Sequence, residues 1–369
     1  MANAFSAPLL ACGLALPLSL PLAAASLPPG YDSVVVLGDS LSDTGNLYAA
    51  TGNAYPPPPY NGGRFTGGDT YVDILAAAWG LDGSTLANFA FGGAAAVTDP
   101  GDLVIDLGEQ ILQLAGSGFA VGASPLTVIN IGGNDAIRGA AAAGGIAAYG
   151  IGGIAGDGSN PALVAAAEAA AEQAGIDAAD AVAASITALY VLGMDGFLVY
   201  NLADVGNSPR YATPDALGMN PDTGGSNGAY ATIATDAFNT QLATQLAALK
   251  GLGLTIYEAD AAALFADILG NPGAYGLMDG TSACGTLSGF AAAGLALYDF
   301  SSPVCDESDP AGITAPYWDG VHPNQILHEQ YAALALSVLP MAEVPAPLPV
   351  LMLGSALAGL GVFRRLRRA

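Results

Sequence analysis

Val35-Val36-Leu37-Gly38-Asp39-Ser40-Leu41-Ser42-Asp43-Thr44-Gly45-Asn46 joins an apolar, β-branched run to a turn of small polar residues that presents a serine. β-Branched residues suit a buried, pleated strand, and Gly, Asp and Ser suit the turn that follows. A hydroxyl shown at the end of a strand is how a nucleophile is displayed. A second chemically rich stretch, Asp319-Gly320-Val321-His322-Pro323-Asn324, lies near the far end and supplies a carboxylate and an imidazole. One site built from both requires the intervening chain to fold together, so a single domain over residues 26–343 is expected.

Outward from the first stretch, short apolar runs alternate with longer helical patterns, which predicts repeated βα units and a parallel sheet. Strands are expected at 33–37, 85–89, 126–131, 196–201 and 254–258, and helices at 71–79, 106–115, 161–192, 230–249 and 325–339. Polar groups follow several strands: Asp39-Ser40, Asn134-Asp135 and Asp204. Open α/β sheets bind ligands beyond the carboxyl ends of their strands, so these groups are expected to converge. Residues 139–160 are Gly/Ala-rich and read as packing filler in preference to a flexible lid, since nothing polar in them suggests chemistry. Tyr55-Pro56-Pro57-Pro58-Pro59-Tyr60 is a stiff loop expected to line the cleft.

The chain of 369 residues carries 32 acidic and eight basic residues, a formal charge of −24. Arg364, Arg365, Arg367 and Arg368 end the chain, so only Arg64, Arg138, Arg210 and Lys250 face those acids earlier. Such a surface repels phosphate backbones and excludes a nucleic-acid partner. Solubility in a salty medium and a specific role such as calcium binding both remain open, although no EF-hand spacing is evident.

Residues 1–25 read as an export signal, apolar and ending at Ala23-Ala24-Ala25, though no Lys or Arg precedes the apolar stretch. Leu9-Leu10-Ala11-Cys12 has the form of a lipoprotein box but follows too short an apolar stretch. Signal removal leaves Cys284 and Cys305, an even pair expected to form a disulfide in an exported protein. Two unpaired buried cysteines are the alternative, and metal binding is disfavoured without nearby histidines. Residues 344–369 combine a proline spacer, an uncharged apolar segment and the arginine cluster. As a helix the apolar part would be roughly 24 Å long against a hydrocarbon core of about 30 Å, a short membrane anchor with the arginines on the cytoplasmic side. This pattern resembles the PEP-CTERM class of bacterial sorting tails, which implies an exosortase-like processing partner. Ala346 stands where the Glu of the PEP form would be.

Four ordered blocks carry a second resemblance: Gly38-Asp39-Ser40-Leu41-Ser42, Asn88-Phe89-Ala90-Phe91-Gly92-Gly93-Ala94, Ile131-Gly132-Gly133-Asn134-Asp135 and Asp319-x-x-His322. The set resembles the GDSL, or SGNH, hydrolase family. Each block alone is common in loops, but the ordered set spans most of the chain. The resemblance implies a three-layer α/β/α sandwich with a mainly parallel sheet, flavodoxin-like in plan. It implies carboxylic ester hydrolysis by an exported esterase or lipase with no metal or organic cofactor. Ser40 would be the nucleophile, His322 its base and Asp319 the group that orients the imidazole. The Ser40 N–H, the Gly93 N–H and the Asn134 amide would stabilise the oxyanion. Gly93 is chosen over Gly92 by its distance from Asn88. Asp39 is expected to order the turn, Asp43 and Asn46 to bond the loop after Ser40, and His328 to be a surface residue. Substrates implied are lipids, short-chain esters or acylated glycans; an O-acetyl esterase acting on extracellular polysaccharide is the alternative, and a non-enzymatic surface protein a remoter one.

Overall fold

The computed structural model of the chain describes residues 26–101, 103–149, 160–212, 227–290, 296–300 and 314–340. The expected export signal, the 344–369 tail and Cys305 lie outside those residues. In chain order the elements are β1 (Ser33–Gly38), α1 (Asn46–Ala50), α2 (Tyr71–Trp79), β2 (Leu86–Asn88), α3 (Leu107–Gly116), β3 (Pro125–Asn130), α4 (Gly133–Tyr149), α5 (Pro161–Val191), β4 (Gly196–Tyr200), α6 (Pro209–Ala212), α7 (Asn227–Gly251), β5 (Thr255–Ala259), α8 (Ala261–Gly270), β6 (Thr286–Phe290), β7 (Ala296–Asp299) and α9 (Gln325–Val338).

The five strands β1 to β5 form one sheet in the order β2-β1-β3-β4-β5, with every pairing parallel. This is the flavodoxin-like order. Alternate residues of a strand face opposite sides, so each strand feeds two cores. Val35, Leu37 and Ile129 pack with Ile111, Ile186 and Leu246 from α3, α5 and α7, while Val34, Val36 and Val128 pack with Leu75, Phe265 and Leu327 from α2, α8 and α9. The result is a three-layer α/β/α sandwich. Burial on both faces explains why β1 reads as an unbroken apolar run, all six of its residues being buried.

Residues 139–149 belong to α4, a helix that glycine content hid from the sequence reading. Glycine here permits close packing: a Cβ on Gly139 would lie 2.6 Å from the Ala174 Cβ on α5. α5 is apolar and long enough to cross a membrane, yet its Ala167, Ala171, Gly175 and Ala178 are buried, and a Cβ on Gly175 would stand 2.1 Å from the Ala234 carbonyl on α7. It is a core helix. α8 and the antiparallel β6–β7 hairpin also escaped the sequence reading.

His328 is 1% exposed, which corrects its assignment to the surface. Its position three residues before Tyr331 places it on the inner face of α9, and its Nδ1 accepts the Tyr71 N–H at the start of α2 (3.2 Å). An imidazole can take an otherwise orphaned helix-terminal donor only while neutral. Burial, and then the charge of His322, lower its pKa from 6.5 to about 3.

The end of β1 is held by Gln110, a fully buried side chain of α3. Its Oε1 accepts the Gly38 N–H (2.9 Å), and its Nε2 donates to the carbonyls of Gly38 (2.8 Å) and Ile105 (2.9 Å). Gly38 admits no side chain, because a Cβ would lie 2.5 Å from the Asn130 carbonyl and 2.8 Å from Ser42 Oγ.

Two stability outcomes follow from these contacts. Gln110→Leu leaves the buried Gly38 N–H without its acceptor and is expected to cost about 2–3 kcal/mol in urea unfolding. Unfolding His328 allows it to bind a proton that the folded protein refuses, so stability is lost as pH falls from 6.5 towards about 3 and is unaffected above. Wild type should therefore lose about 1.4 kcal/mol per pH unit in that window relative to His328→Gln; parallel stability–pH curves would contradict this.

Candidate active site

The carboxyl edge of the sheet brings the distant blocks together. Ser40 follows β1 by two residues, Asn134 stands at the second position of α4 just after β3, and Asp319 and His322 lie in the loop before α9. That loop is closed by the Trp318 N–H donating to the His322 carbonyl (2.7 Å), and Asn324 caps α9 by accepting the Leu327 N–H (3.0 Å).

Ser40 Oγ lies 2.8 Å from His322 Nε2, and His322 Nδ1 lies 2.6 Å from Asp319 Oδ2. A carboxylate only accepts, so Nδ1 carries the proton and Nε2 presents its lone pair to the hydroxyl. Asp319 is completely buried, and its Oδ1 accepts the N–H groups of Val321 (2.8 Å) and His322 (2.9 Å). The Tyr60 hydroxyl donates to Oδ2 at 2.5 Å. Burial opposes ionisation of Asp319, but the His322 charge and these hydrogen bonds outweigh it and hold the carboxyl below its usual range. The Phe65 ring packs on the imidazole with centroids 4.9 Å apart.

Next to this line of three groups stands the Gly92-Gly93 turn. The Gly92 N–H donates to Asp43 Oδ2 (2.8 Å), whereas no acceptor among the described residues takes the Gly93 N–H, and Gly93 has a left-handed φ of 88°. Asn134 Nδ2 donates one hydrogen to the Ala94 carbonyl (2.8 Å), which fixes the amide beside the same turn. Ser40, Gly93 and Asn134 all line one cleft.

Aspartates hold the surrounding backbone. Asp43 accepts the N–H groups of Gly45, Asn46, Leu47 and Gly92, and Asp135 those of Ala96 and Val97. Asp39 Oδ1 accepts the Leu41 N–H (3.0 Å), the turn-ordering contact expected of it. Burial raises Asp39 to about 7 and Asp135 to about 6 against these hydrogen bonds. Asn46 donates to the carbonyls of Asn88 and Ala90, while Asn88 donates to the Ser42 carbonyl and the Thr44 hydroxyl.

The cleft has a volume of about 900 Å³ and crosses the sheet edge. Towards β2 its wall is apolar, with Leu47, Ala50, Phe91, Leu103 and Val104. Towards β4 the lining is mixed: Leu202, Val205 and Phe265 stand among the polar groups of Asp204, Ser208, Arg210, Tyr298 and Tyr317. Cys284 is disulfide-bonded; the partner expected for it, Cys305, lies outside the described residues. Among the described residues no group of three or more His, Cys, Asp or Glu is arranged to hold a metal ion.

Sequence reasoning missed Gln110 and Tyr60. Gln110 had a signal, a polar residue on the buried stripe formed by Leu107, Ile111 and Leu114. The loop that carries Tyr60 was expected at the cleft, and its Tyr55 lines it, but the contact of Tyr60 with Asp319 across 259 residues had no signal.

The chain is 28% identical over 277 residues to a phosphatidylcholine-sterol acyltransferase of Aeromonas hydrophila, spanning 72% of this chain and 69% of that protein. A thermolabile hemolysin of Vibrio parahaemolyticus is 42% identical over 73 residues, 20% of this chain and 17% of its own length. Similar solved structures include an extracellular lipase of Streptomyces rimosus (15% identity, TM-score 0.39, covering 83% of this chain and 99% of that one). A phospholipase A1 of Streptomyces albidoflavus is also similar (15% identity, TM-score 0.43, 83% and 98%). The model of the GDSL-like lipase/acylhydrolase family matches residues 34–335, the span that carries the sheet, the cleft and all four blocks, and the chain belongs to that family.

Proposed function

We propose that the protein hydrolyses carboxylic esters through an acyl-enzyme on Ser40. The observation that carries this reading is the unbroken contact from Ser40 Oγ through His322 to buried Asp319, at 2.8 and 2.6 Å. His322 Nε2 takes the hydroxyl proton as Oγ attacks the ester carbonyl, and Asp319 stabilises the imidazolium. The carbonyl oxygen gains the negative charge and lies against the N–H groups of Ser40 and Gly93 and the amide of Asn134. Collapse breaks the bond to the alcohol, which leaves with the proton from His322. Water then repeats the sequence on the acyl-enzyme, releasing the acid and restoring Ser40.

The apolar wall towards β2 favours an acyl chain longer than acetyl, so a lipase or medium-chain esterase is preferred to the polysaccharide O-acetyl esterase. The acyl chain would lie along Leu47, Ala50 and Val104, and the alcohol towards Tyr298 and Tyr317. Export rests on residues 1–25, anchoring and exosortase-like processing on residues 344–369, and the Cys284–Cys305 pairing on the disulfide recorded at Cys284.

Full-length protein in detergent, assayed on p-nitrophenyl esters from acetate to palmitate, tests the reading. Ser40→Ala is expected to lower kcat by at least about 10³-fold and to abolish fluorophosphonate labelling. No hydrolysis of any ester, with no labelling of the wild type, would remove the hydrolase reading. Ala50→Trp fills part of the apolar wall at an exposed position of α1. It is expected to lower kcat/KM for octanoate about tenfold relative to acetate, a differential of about 1.4 kcal/mol; equal effects on both esters would place the acyl chain elsewhere.

A further inference from the structure

We propose that Tyr60 is a positioning residue of the catalytic site, its hydroxyl sharing Asp319 Oδ2 with His322 and thereby keeping His322 neutral, and competent as a base, to lower pH. The proposal rests on the hydrolase reading above and names a control that the four family blocks do not contain.

Two donors converge on one carboxylate oxygen: Tyr60 Oη at 2.5 Å and His322 Nδ1 at 2.6 Å. Both are short, as expected of hydrogen bonds to an ionised acceptor. Burial and the neighbouring Asp319 charge hold the Tyr60 hydroxyl far above its ordinary range, so it stays a donor at every working pH. A donor on Oδ2 draws negative charge away from the imidazole. The imidazolium is then less stabilised, and Asp319 is less basic. Both effects lower the pH at which the Asp319–His322 pair takes up the proton that disables the base.

The loop around Tyr60 is built to hold that hydroxyl in place. Its ring stacks edge-on against Phe300 (centroids 5.4 Å), Phe65 (6.1 Å) and Trp318 (6.4 Å), and Phe65 in turn covers His322. The proline-rich stretch therefore carries one residue onto the carboxylate and a nearby one onto the imidazole.

Other titratable groups face the pair. Tyr55 and Tyr298 interact with the Asp319 charge, Asp39 and His328 with His322, Asp135 with Asp39, and Arg210 with Tyr298. All are unchanged by substitution at Tyr60, so a comparison between variants isolates the hydroxyl. Asp39 acts in the opposite sense: its ionisation adds negative charge near His322, and Asp39→Asn should move the acid limb down.

The test is kcat/KM against pH for a p-nitrophenyl ester, with full-length wild type, Tyr60→Phe and protein carrying 3-fluorotyrosine at position 60. Phenylalanine keeps the ring contacts and removes the donor; the acid limb should rise by about half to one pH unit. Fluorotyrosine is a stronger donor, and the limb should fall. The rate of fluorophosphonate labelling at Ser40 should follow the same order. A role in packing alone would lower activity equally at every pH. Superimposable acid limbs in all three proteins, or a downward shift in Tyr60→Phe, would overturn the proposal while leaving the Ser40 acyl-enzyme intact. Failure of the wild type to hydrolyse esters or be labelled would instead remove the reading on which it stands.

Discussion

The hydrogen-bonded clamp on Gly38 is the contact on which the site depends. β1 must stop, turn and present Ser40 within two residues, at a place where the Asn130 carbonyl and Ser42 leave no room for a Cβ. The Gly38 carbonyl still accepts the Phe91 N–H (3.0 Å), but its buried N–H needs an acceptor from outside the sheet. The Gln110 amide supplies donor and acceptor together, matching the Gly38 carbonyl and N–H. Because Gln110 rides on α3, the angle of the Ser40 turn is tied to the packing of a helix against the sheet.

Part of the acidic composition, five of the 32 acidic residues, works inside the molecule. Asp39, Asp43, Asp106, Asp135 and Asp319 are all buried, and each accepts backbone N–H groups: Asp106, for example, holds Ala95 and Asp99 around the start of α3. These carboxylates shape the loops at the carboxyl edge of the sheet, where regular structure cannot satisfy the chain. A reading of net charge alone assigns them to the surface. Their burial against loop backbone shows that charge content and surface charge are different quantities in this protein.

What was legible in the sequence divides along physical lines. β1 to β5 could be placed within a residue or two: β1, β3 and β4, buried on both faces, read as mainly apolar runs, and the partly exposed edge strands β2 and β5 as short runs between turn residues. Ser40, Asp319 and His322 could be placed because turn chemistry is local and the spacing of Asp319 and His322 fits one loop. α4 was hidden because two of its glycines serve helix contacts, Gly139 with Ala174 on α5 and Gly144 with Asn227 on α7, a tertiary reason that outweighs helix propensity. His328 was misread because its role depends on the start of α2, which approaches only in the fold. The contact of Tyr60 with Asp319 was illegible for the same reason, its partner being supplied by topology.

Ser40 and His322 are separated by 282 residues, and they meet only when the loop before α9 docks against the end of β1. Closing so long a segment requires most of the intervening chain to be ordered first, because non-local contacts are reached only after the entropy of the loop has been lost. The hydroxyl therefore has no base beside it in a nascent or unfolded chain. On the proposed mechanism, reactivity at Ser40 would be a late property of folding, and a chain crossing a membrane unfolded would carry that hydroxyl in an inert state until the fold was complete.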